Sequence, residues 1–213
     1  MKIFSYIVGM SLLPVFCNLQ AANYCGDLTG SHGPFDYTDS ANRTTVGINT
    51  SILELVERAH FTPNVEKLIK GNTGALGGDL AYTLMMFPNH HRALVSIGNL
   101  AIRDKIIKPH GMTYSIECYF NRAMRFKPAD VMVRMIYGLY LSKSGKLDDA
   151  IQQLNEAVRL EPENANFNYN LGLLYAKNKD FENAKIYAKN AYRMGFPLQG
   201  LKNTLTAAGK WSD

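Results

Sequence analysis

The sequence has 213 residues, of which 46% are hydrophobic and 19% charged, and its net charge is +5 at neutral pH. This composition excludes a disordered chain, and the length allows one or two compact domains. Basic and acidic residues alternate rather than cluster, which is typical of a solvated surface, so no nucleic-acid partner is expected.

Residues 1–22 have the pattern of a secretory signal peptide. Lys2 precedes an apolar run from Ile3 to Cys17, and the stretch ends in the small residues of "LQAA". A permanent membrane anchor needs roughly 20 apolar residues, more than this run supplies. We therefore expect cleavage near the end of this segment and a periplasmic or secreted chain without stable membrane insertion.

Residues 23–50 are rich in Gly, Ser, Thr and Asn and lack a sustained apolar period, so they predict an irregular extension. Its expected anchors are Cys25, Phe35 and Tyr37. Residues 51–90 predict three helices, in "SILELVERAHF", "TPNVEKLIKG" and "GDLAYTLMMF", and a flexible "GNTGALGG" precedes the last of them.

An internal repeat organises the second half of the chain. Pro128 and Pro162 lie 34 residues apart, and each is followed after the same interval by a glycine, Gly138 or Gly172. Small and large apolar residues recur in register, and each half of the repeat shows the 3.6-residue period of an amphipathic helix. An earlier segment fits the same phase with a longer turn near "IIKPHG".

This pattern resembles the tetratricopeptide repeat family, whose repeat of 34 residues forms a helical hairpin. The resemblance implies an all-α helical-hairpin solenoid of about three repeats, with an N-terminal helical extension and a C-terminal capping helix. Its repeats would be 91–130, 131–164 and 165–197, followed by the capping helix and tail, 198–213. In that last segment Leu201, Leu205 and Trp211 would cover the final repeat.

The front of the chain resembles a group of short exported bacterial proteins that share its "GPFDY" and "FPNHHRAL" stretches. That resemblance adds to the expected architecture and implies no activity.

Two cysteines remain if the signal peptide is removed, Cys25 and Cys118. They could be unrelated thiols, but in an oxidising compartment our hypothesis is a disulfide that ties the extension to the repeats. Cys118 lies between the packing positions Ile116 and Phe120, so it is expected toward the outer surface.

The family resemblance also implies a concave groove lined by the first helix of each repeat. A row of basic residues and a floor of apolar side chains would suit a protein or peptide partner with apolar anchors and a carboxylate. The implied role is a non-catalytic adaptor without a cofactor, in envelope assembly such as pilus or polysaccharide machinery. The expected partner-binding residues are Arg92, Asn99, Arg103, Met132, Met135, Leu139, Lys143, Asn166, Tyr169, Asn170, Leu173 and Lys177.

The stretch "FPNHHRAL" lies at the junction before the first repeat. We interpret Asn89 as a helix cap and His90 and His91 as polar residues of a solvated first turn. The alternative is a metal-binding or hydrolytic protein that uses His60, His90 and His91 together with Glu57, because imidazoles bind metals and transfer protons near neutral pH. The sequence contains no nucleophile motif, phosphate loop or HExxH pattern to support it.

Overall fold

The computed structural model describes residues 25–30, 33–44 and 50–211, so the predicted signal peptide lies outside the described residues. Within those ranges the regular elements are all helical, which confirms the all-α prediction. None of the described helices has the length and apolar character needed to cross a membrane. The elements are a 3₁₀ helix at Ser40–Arg43 and then α1 (Ile52–His60), α2 (Pro63–Glu66), α3 (Leu76–Met86), α4 (His91–Asp104), α5 (Ile116–Phe126), α6 (Val131–Lys143), α7 (Leu147–Leu160), α8 (Ala165–Lys177), α9 (Phe181–Arg193) and α10 (Gly200–Ala207).

The 34-residue repeat is visible in the turns of the last two hairpins. Between α6 and α7 the N–H of Lys146 donates to the carbonyl of Leu141 at 2.9 Å, and between α8 and α9 the N–H of Asp180 donates to Tyr175 at 2.9 Å. Each turn contains one left-handed residue, Gly145 with φ 84° or Lys179 with φ 62°. Equivalent sequence positions therefore close equivalent turns.

The recurring glycines allow the helices of each hairpin to approach closely. A Cβ atom on Gly138 of α6 would lie 2.1 Å from Cδ1 of Leu154 in α7. One on Gly172 of α8 would lie 2.5 Å from Cδ2 of Leu201 in α10 and 3.2 Å from the carbonyl oxygen of Ala184. Close packing leaves no room for even a methyl group at these positions.

The first hairpin, α4 with α5, has the predicted longer connection over residues 105–115. Its backbone passes over the start of α3, where a Cβ on Gly77 would lie 2.3 Å from the carbonyl oxygen of His110. The prediction that Gly77 belongs to a flexible lead-in is wrong, because α3 begins at Leu76 and the glycine is needed for this close approach.

Consecutive hairpins stack, with α4 against α6 and α7 against α8. One cluster of buried side chains runs through the stack and includes Leu94, Phe120, Leu141 and Leu154. A second cluster closes the C-terminal end, where the fully buried Leu201 and Leu205 and the partly buried Trp211 pack against α8 and α9. The helix after the last repeat therefore covers its apolar face, as a repeat stack requires.

The N-terminal extension is bound to the helices at two points. Cys25 and Cys118 form the hypothesised disulfide, with their Cα atoms 5.1 Å apart. Nη1 of Arg122 donates to the carbonyl oxygens of Cys25 and Asp27 at 3.0 and 2.6 Å. Cys118 is only 3% exposed in the folded chain, where the disulfide joins it to the extension.

The second attachment point is aromatic. The ring of Phe35 lies 5.6 Å from that of the buried Phe87, and the N–H of Phe35 donates to the carbonyl of Met86 at 2.8 Å. Together with Leu53 and Val56 of α1 these rings form a small separate core. This attachment holds Tyr37 above the start of α4.

Candidate partner-binding groove

A cavity of about 580 Å³ lies between α4 and α6, the first helices of two consecutive hairpins. We call this cavity the groove. Six of the predicted partner-binding residues line it: Arg92, Asn99, Met132, Met135, Leu139 and Lys143.

The floor of the groove is apolar and consists largely of flexible side chains. Val95 of α4 is 45% exposed, and Met132, Met135 and Leu139 of α6 are partly buried. At the base α4 approaches α6, because a Cβ on Gly98 would lie 3.3 Å from Cδ2 of Tyr140. Methionine adapts its shape to different apolar groups, so this floor can receive varied aliphatic or aromatic anchors.

The charge of Arg92 is balanced by carboxylates of the preceding helices. Its guanidinium forms a two-pronged pair with Glu66, at 2.8 and 2.5 Å, and lies 3.3 Å from Glu57. The hydrogen bond with Glu66 raises the pKa of Arg92, and the same bond lowers the pKa of Glu66. Arg92 therefore ties α4 to α2 and contributes little unpaired charge to the groove.

Lys143 is the uncompensated cation of the groove. It lies in the last turn of α6 and is exposed, and no carboxylate pairs with it among the residues that the structure describes. Asn99, also exposed, supplies an amide that can both donate and accept hydrogen bonds. The groove thus offers an anion-binding group and a backbone-pairing group beside an apolar floor.

The predicted row of basic residues, Arg103, Lys143 and Lys177, does not consist of three free charges. Arg103 pairs with Asp104 at 2.6 Å and donates to the carbonyl of Leu68 at 2.6 Å. Nζ of Lys177 donates to the carbonyl and hydroxyl of Ser142, at 2.8 and 3.1 Å. Neither residue lines the groove.

The other four predicted residues of α8 also lie outside the groove lining. Tyr169 is buried and stacks on Phe196 with ring centroids 4.1 Å apart, and Leu173 packs into the same C-terminal cluster. Asn166 and Asn170 hydrogen-bond to each other at 2.5 Å. Of the three predicted repeats, the first two therefore contribute to the cavity lining and the third does not.

The polar groove residues outside the predicted partner-binding set include Tyr37, Glu66 and His91. Tyr37 was predicted only as an anchor of the extension, but its ring lies 4.2 Å from that of His90 and 5.1 Å from that of His91. The "GPFDY" stretch was a signal for this wall of the groove, but the sequence could not show where the extension folds back.

His90 is the cap of α4, and it is fully buried, so the prediction of a solvated first turn capped by Asn89 is wrong. Nδ1 of His90 accepts the N–H of Ala93 at 3.1 Å, which places the imidazole proton on Nε2, where it donates to Glu57 at 2.9 Å. Burial lowers the pKa of His90, opposed by the bond to Glu57. The hydrogen bond from His90 is the main cause that lowers the pKa of Glu57.

Asn89 is equally buried and connects three segments of the chain. Its Oδ1 accepts the N–H of Tyr37 at 2.9 Å, and its Nδ2 donates to Asp36 at 2.8 Å and to Asp130 at 2.9 Å. Burial disfavours ionisation of Asp36, yet hydrogen bonds led by that of Lys127 hold its pKa below the ordinary value. This network fixes the extension to the start of α4 and of α6.

The remaining candidate histidines are also paired with carboxylates. Nε2 of His91 lies 2.9 Å from both carboxylate oxygens of Asp130. Nδ1 of His60 lies 2.9 Å from Oδ1 of the buried Asp79, and the His60 ring stacks on Tyr82. The three histidines thus belong to separate pairs, and in the described part of the chain no three His, Cys, Asp or Glu side chains form a possible metal-binding group.

Family comparison agrees with the geometry of the last hairpins. Residues 138–179 match a family described as TPR repeat, and residues 165–194 match one described as tetratricopeptide repeat. These matches support the tetratricopeptide repeat family. Such repeats generally build extended concave surfaces that serve as scaffolds for protein–protein interaction.

A solved structure titled "MamA RS-1 ArsTM double mutant" is also similar to this chain. The identity is 20%, the similarity covers 56% of this chain and 64% of that chain, and the TM-score is 0.44. The chain thus spans less than two thirds of the length of that structure. Among curated proteins no match was found.

Proposed function

We propose that the protein is an exported, non-catalytic adaptor that holds a segment of a partner protein of the cell envelope in the groove between α4 and α6. The observation that carries this proposal is the 580 Å³ cavity formed by the first helices of two consecutive repeats. A stack of repeats presents such a surface to other proteins, and the family matches support the same role.

The chemistry of the groove defines the bound segment. Val95, Met132, Met135 and Leu139 favour aliphatic or aromatic anchors. The amide of Asn99 can pair with an extended backbone, and the free cation of Lys143 favours a carboxylate at one end of the segment. We therefore expect a short peptide with apolar anchors followed by an acidic residue or a chain terminus.

A non-catalytic role agrees with the structural use of the imidazoles in this chain. Both ring nitrogens of His90 are engaged, one by the N–H of Ala93 and one by Glu57. His91 and His60 each hold a carboxylate that organises neighbouring loops. His91 also lines the groove. The predicted export signal of residues 1–22 favours a partner in the envelope, for example in pilus or polysaccharide assembly.

Site-specific cross-linking tests the proposal. A photo-reactive amino acid at Asn99 should cross-link one envelope protein, and Met135→Glu with Leu139→Glu should abolish the product while the helical circular dichroism is unchanged. The matched control carries Ile186→Glu and Leu198→Glu, which are 55% and 58% exposed and lie outside the groove. Equal cross-linking in the two double variants would contradict binding in the groove.

A further inference from the structure

Two exposed loops of similar composition lie near each other, and neither contributes to the groove lining. Residues 67–70 read "KLIK" and residues 105–108 read "KIIK". The first follows α2 and the second follows α4, and Nη1 of Arg103 in the last turn of α4 donates to the carbonyl of Leu68 at 2.6 Å. The fold therefore brings together two short sequences that are 38 residues apart in the chain.

Each of the two loops contains one left-handed residue where the preceding helix ends. Leu68 and Lys105 are left-handed, with φ of 58° and 53°. The next residue in each loop closes the turn, since Ile69 N–H donates to Asn64 at 2.9 Å and Ile106 N–H donates to Ala101 at 3.3 Å. An apolar residue after the left-handed position of such a turn commonly packs back on its own helix.

Here the isoleucines point largely to solvent instead. Ile69 is 65% exposed, Ile106 is 46% exposed and Ile107 is 78% exposed. The backbone beside them is ordered, because the carbonyl of Ile107 accepts the N–H of Ile116 at 2.9 Å. Three large aliphatic side chains held in water by a fixed backbone form an unusual surface for a monomeric protein.

Four exposed lysines surround these isoleucines: Lys67, Lys70, Lys105 and Lys108. The neighbouring carboxylates are engaged elsewhere, Asp104 with Arg103 and Glu66 with Arg92. None of the four lysines has a salt bridge within the described ranges. Although charges alternate along the sequence, the fold thus brings these lysines and isoleucines together in one basic and apolar surface.

We propose that this surface, which we call the lysine–isoleucine patch, docks the protein on the surface of an anionic lipid bilayer. Exposed isoleucines enter the boundary between headgroups and acyl chains, while the lysines lie at the level of the anionic headgroups. The isoleucines line neither the groove nor a second cavity of about 260 Å³ that lies beside the extension. Two protruding loops with aliphatic tips and cationic flanks match the charge and polarity profile of such an interface.

This attachment is peripheral and leaves the groove accessible. The lining of the groove comes mainly from the faces of α4 and α6, with Tyr37 and Glu66 beside them, and includes none of the patch residues. Docking through the patch would hold the adaptor at a membrane while its groove binds a protein segment.

Vesicle co-sedimentation tests the proposal. The protein is used as the host processes it, and its mass establishes the first residue, because an apolar leader would itself bind lipid. Binding is expected to vesicles of equimolar phosphatidylcholine and phosphatidylglycerol, but not to pure phosphatidylcholine, and it should weaken as salt rises. Removal of each lysine should weaken binding by about fivefold, so Lys70→Gln with Lys108→Gln should weaken it by about 25-fold.

Two matched controls separate the patch from general electrostatics. Lys179→Asn with Lys210→Gln removes the same charge elsewhere on the exposed surface and should change binding by less than about twofold. Ile69→Ser with Ile107→Ser should weaken vesicle binding by tenfold or more, because methylene groups that enter the membrane supply affinity. The control Ile186→Ser with Leu198→Ser removes exposed apolar side chains elsewhere and should not weaken it comparably.

Three outcomes would overturn the proposal: absence of vesicle binding, equal binding to neutral vesicles, or equal losses in the patch and control variants. The protein could bind polyglutamate and not vesicles. If the patch variants alone then lose polyglutamate binding, the patch is a site for an acidic protein instead. The groove cross-link to a partner is measured separately, so failure of either proposal is distinguishable from failure of the other.

Discussion

The imidazole of His90, buried beneath Tyr37, donates its Nε2 proton to the carboxylate of Glu57 at 2.9 Å while its Nδ1 accepts the N–H of Ala93 in the first turn of α4. A protonated imidazole has no lone pair with which to cap the helix, so this arrangement requires the neutral ring. The folded state therefore opposes protonation, in agreement with the effect of burial on the pKa of His90.

The stability of the protein is expected to fall as the pH drops below about 6.5, the ordinary pKa of histidine. The pKa of His90 is lowered on folding, so the unfolded chain binds the proton first and gains about 1.4 kcal/mol per pH unit until the folded pKa is reached. Urea unfolding between about pH 7.5 and pH 5 measures this slope, because carboxylates titrate mainly below that range.

Variants identify the group responsible for that slope. His90→Asn keeps a cap for α4 and should flatten the profile, while His110→Gln at an exposed loop position should leave it unchanged. A slope that persists in His90→Asn would contradict the assignment.

Asn89→Ala should lower the free energy of unfolding by about 1 to 3 kcal/mol. The variant removes the amide that satisfies Asp36, Asp130 and the N–H of Tyr37 in a buried network. Chemical denaturation measures the loss. Asn203→Ala on the exposed face of α10 is the control and should change the stability by less than about 0.5 kcal/mol.

Reduction of the disulfide should destabilise the chain by about 2 to 5 kcal/mol. The bond joins Cys25 to Cys118 across 93 residues, so it removes much conformational freedom from the unfolded chain. Thermal unfolding of the protein and of a Cys25→Ser, Cys118→Ser variant, each with and without reductant, measures the effect. A reductant-dependent loss in the variant would show that some other process is responsible.

Gly138→Ala should destabilise the stack by about 1 to 3 kcal/mol, although alanine favours a helix more than glycine does. The added methyl group would meet Leu154 at 2.1 Å and the carbonyl of Ala150 at 3.1 Å. The matched control is Gly78→Ala in α3, where the nearest atom lies 3.8 Å away, and it should be neutral or stabilising. Differential scanning calorimetry of the two variants would refute the packing argument if both gained stability.

Cross-linking at Asn99 identifies the bound segment. Lys143→Glu should weaken the binding of that segment by about tenfold or more, because the carboxylate of the segment would then face the carboxylate of the new glutamate. The effect should diminish at high salt, because the site is exposed. Fluorescence anisotropy of the labelled segment measures it. Lys210→Glu makes the same charge change outside the groove, and an equal loss in that variant would remove Lys143 from the site.

The hairpins could be predicted from sequence because their signals are local and periodic. The repeat placed Gly138 and Gly172 at equivalent positions, and the structure shows the same close helix approach at both. Half of the expected binding residues line one cavity, since α4 and α6 follow the repeat geometry. The predicted residues of α8 do not line this cavity. Tyr169, for example, stacks on Phe196 in the segment that leads to the capping helix.

The part that sequence could not predict depends on contacts between distant segments. The extension has no period of its own, and nothing in "GPFDY" shows that Tyr37 would cover His90. A polar "NHH" step is usually solvated, so its burial could be inferred only once the extension was placed. The proximity of "KLIK" and "KIIK" likewise arises from the fold, through the contact of Arg103 with Leu68.

The covalent link between the extension and α5 adds a restraint to the segment that forms one wall of the groove. Tyr37 lies only 12 residues beyond Cys25 in the chain. In a chain with free thiols, the Asn89 network and the contact of Phe35 with Phe87 would still hold this wall without covalent help. Oxidation would then lock a wall that is already in place, so a client segment would meet a preformed receptor.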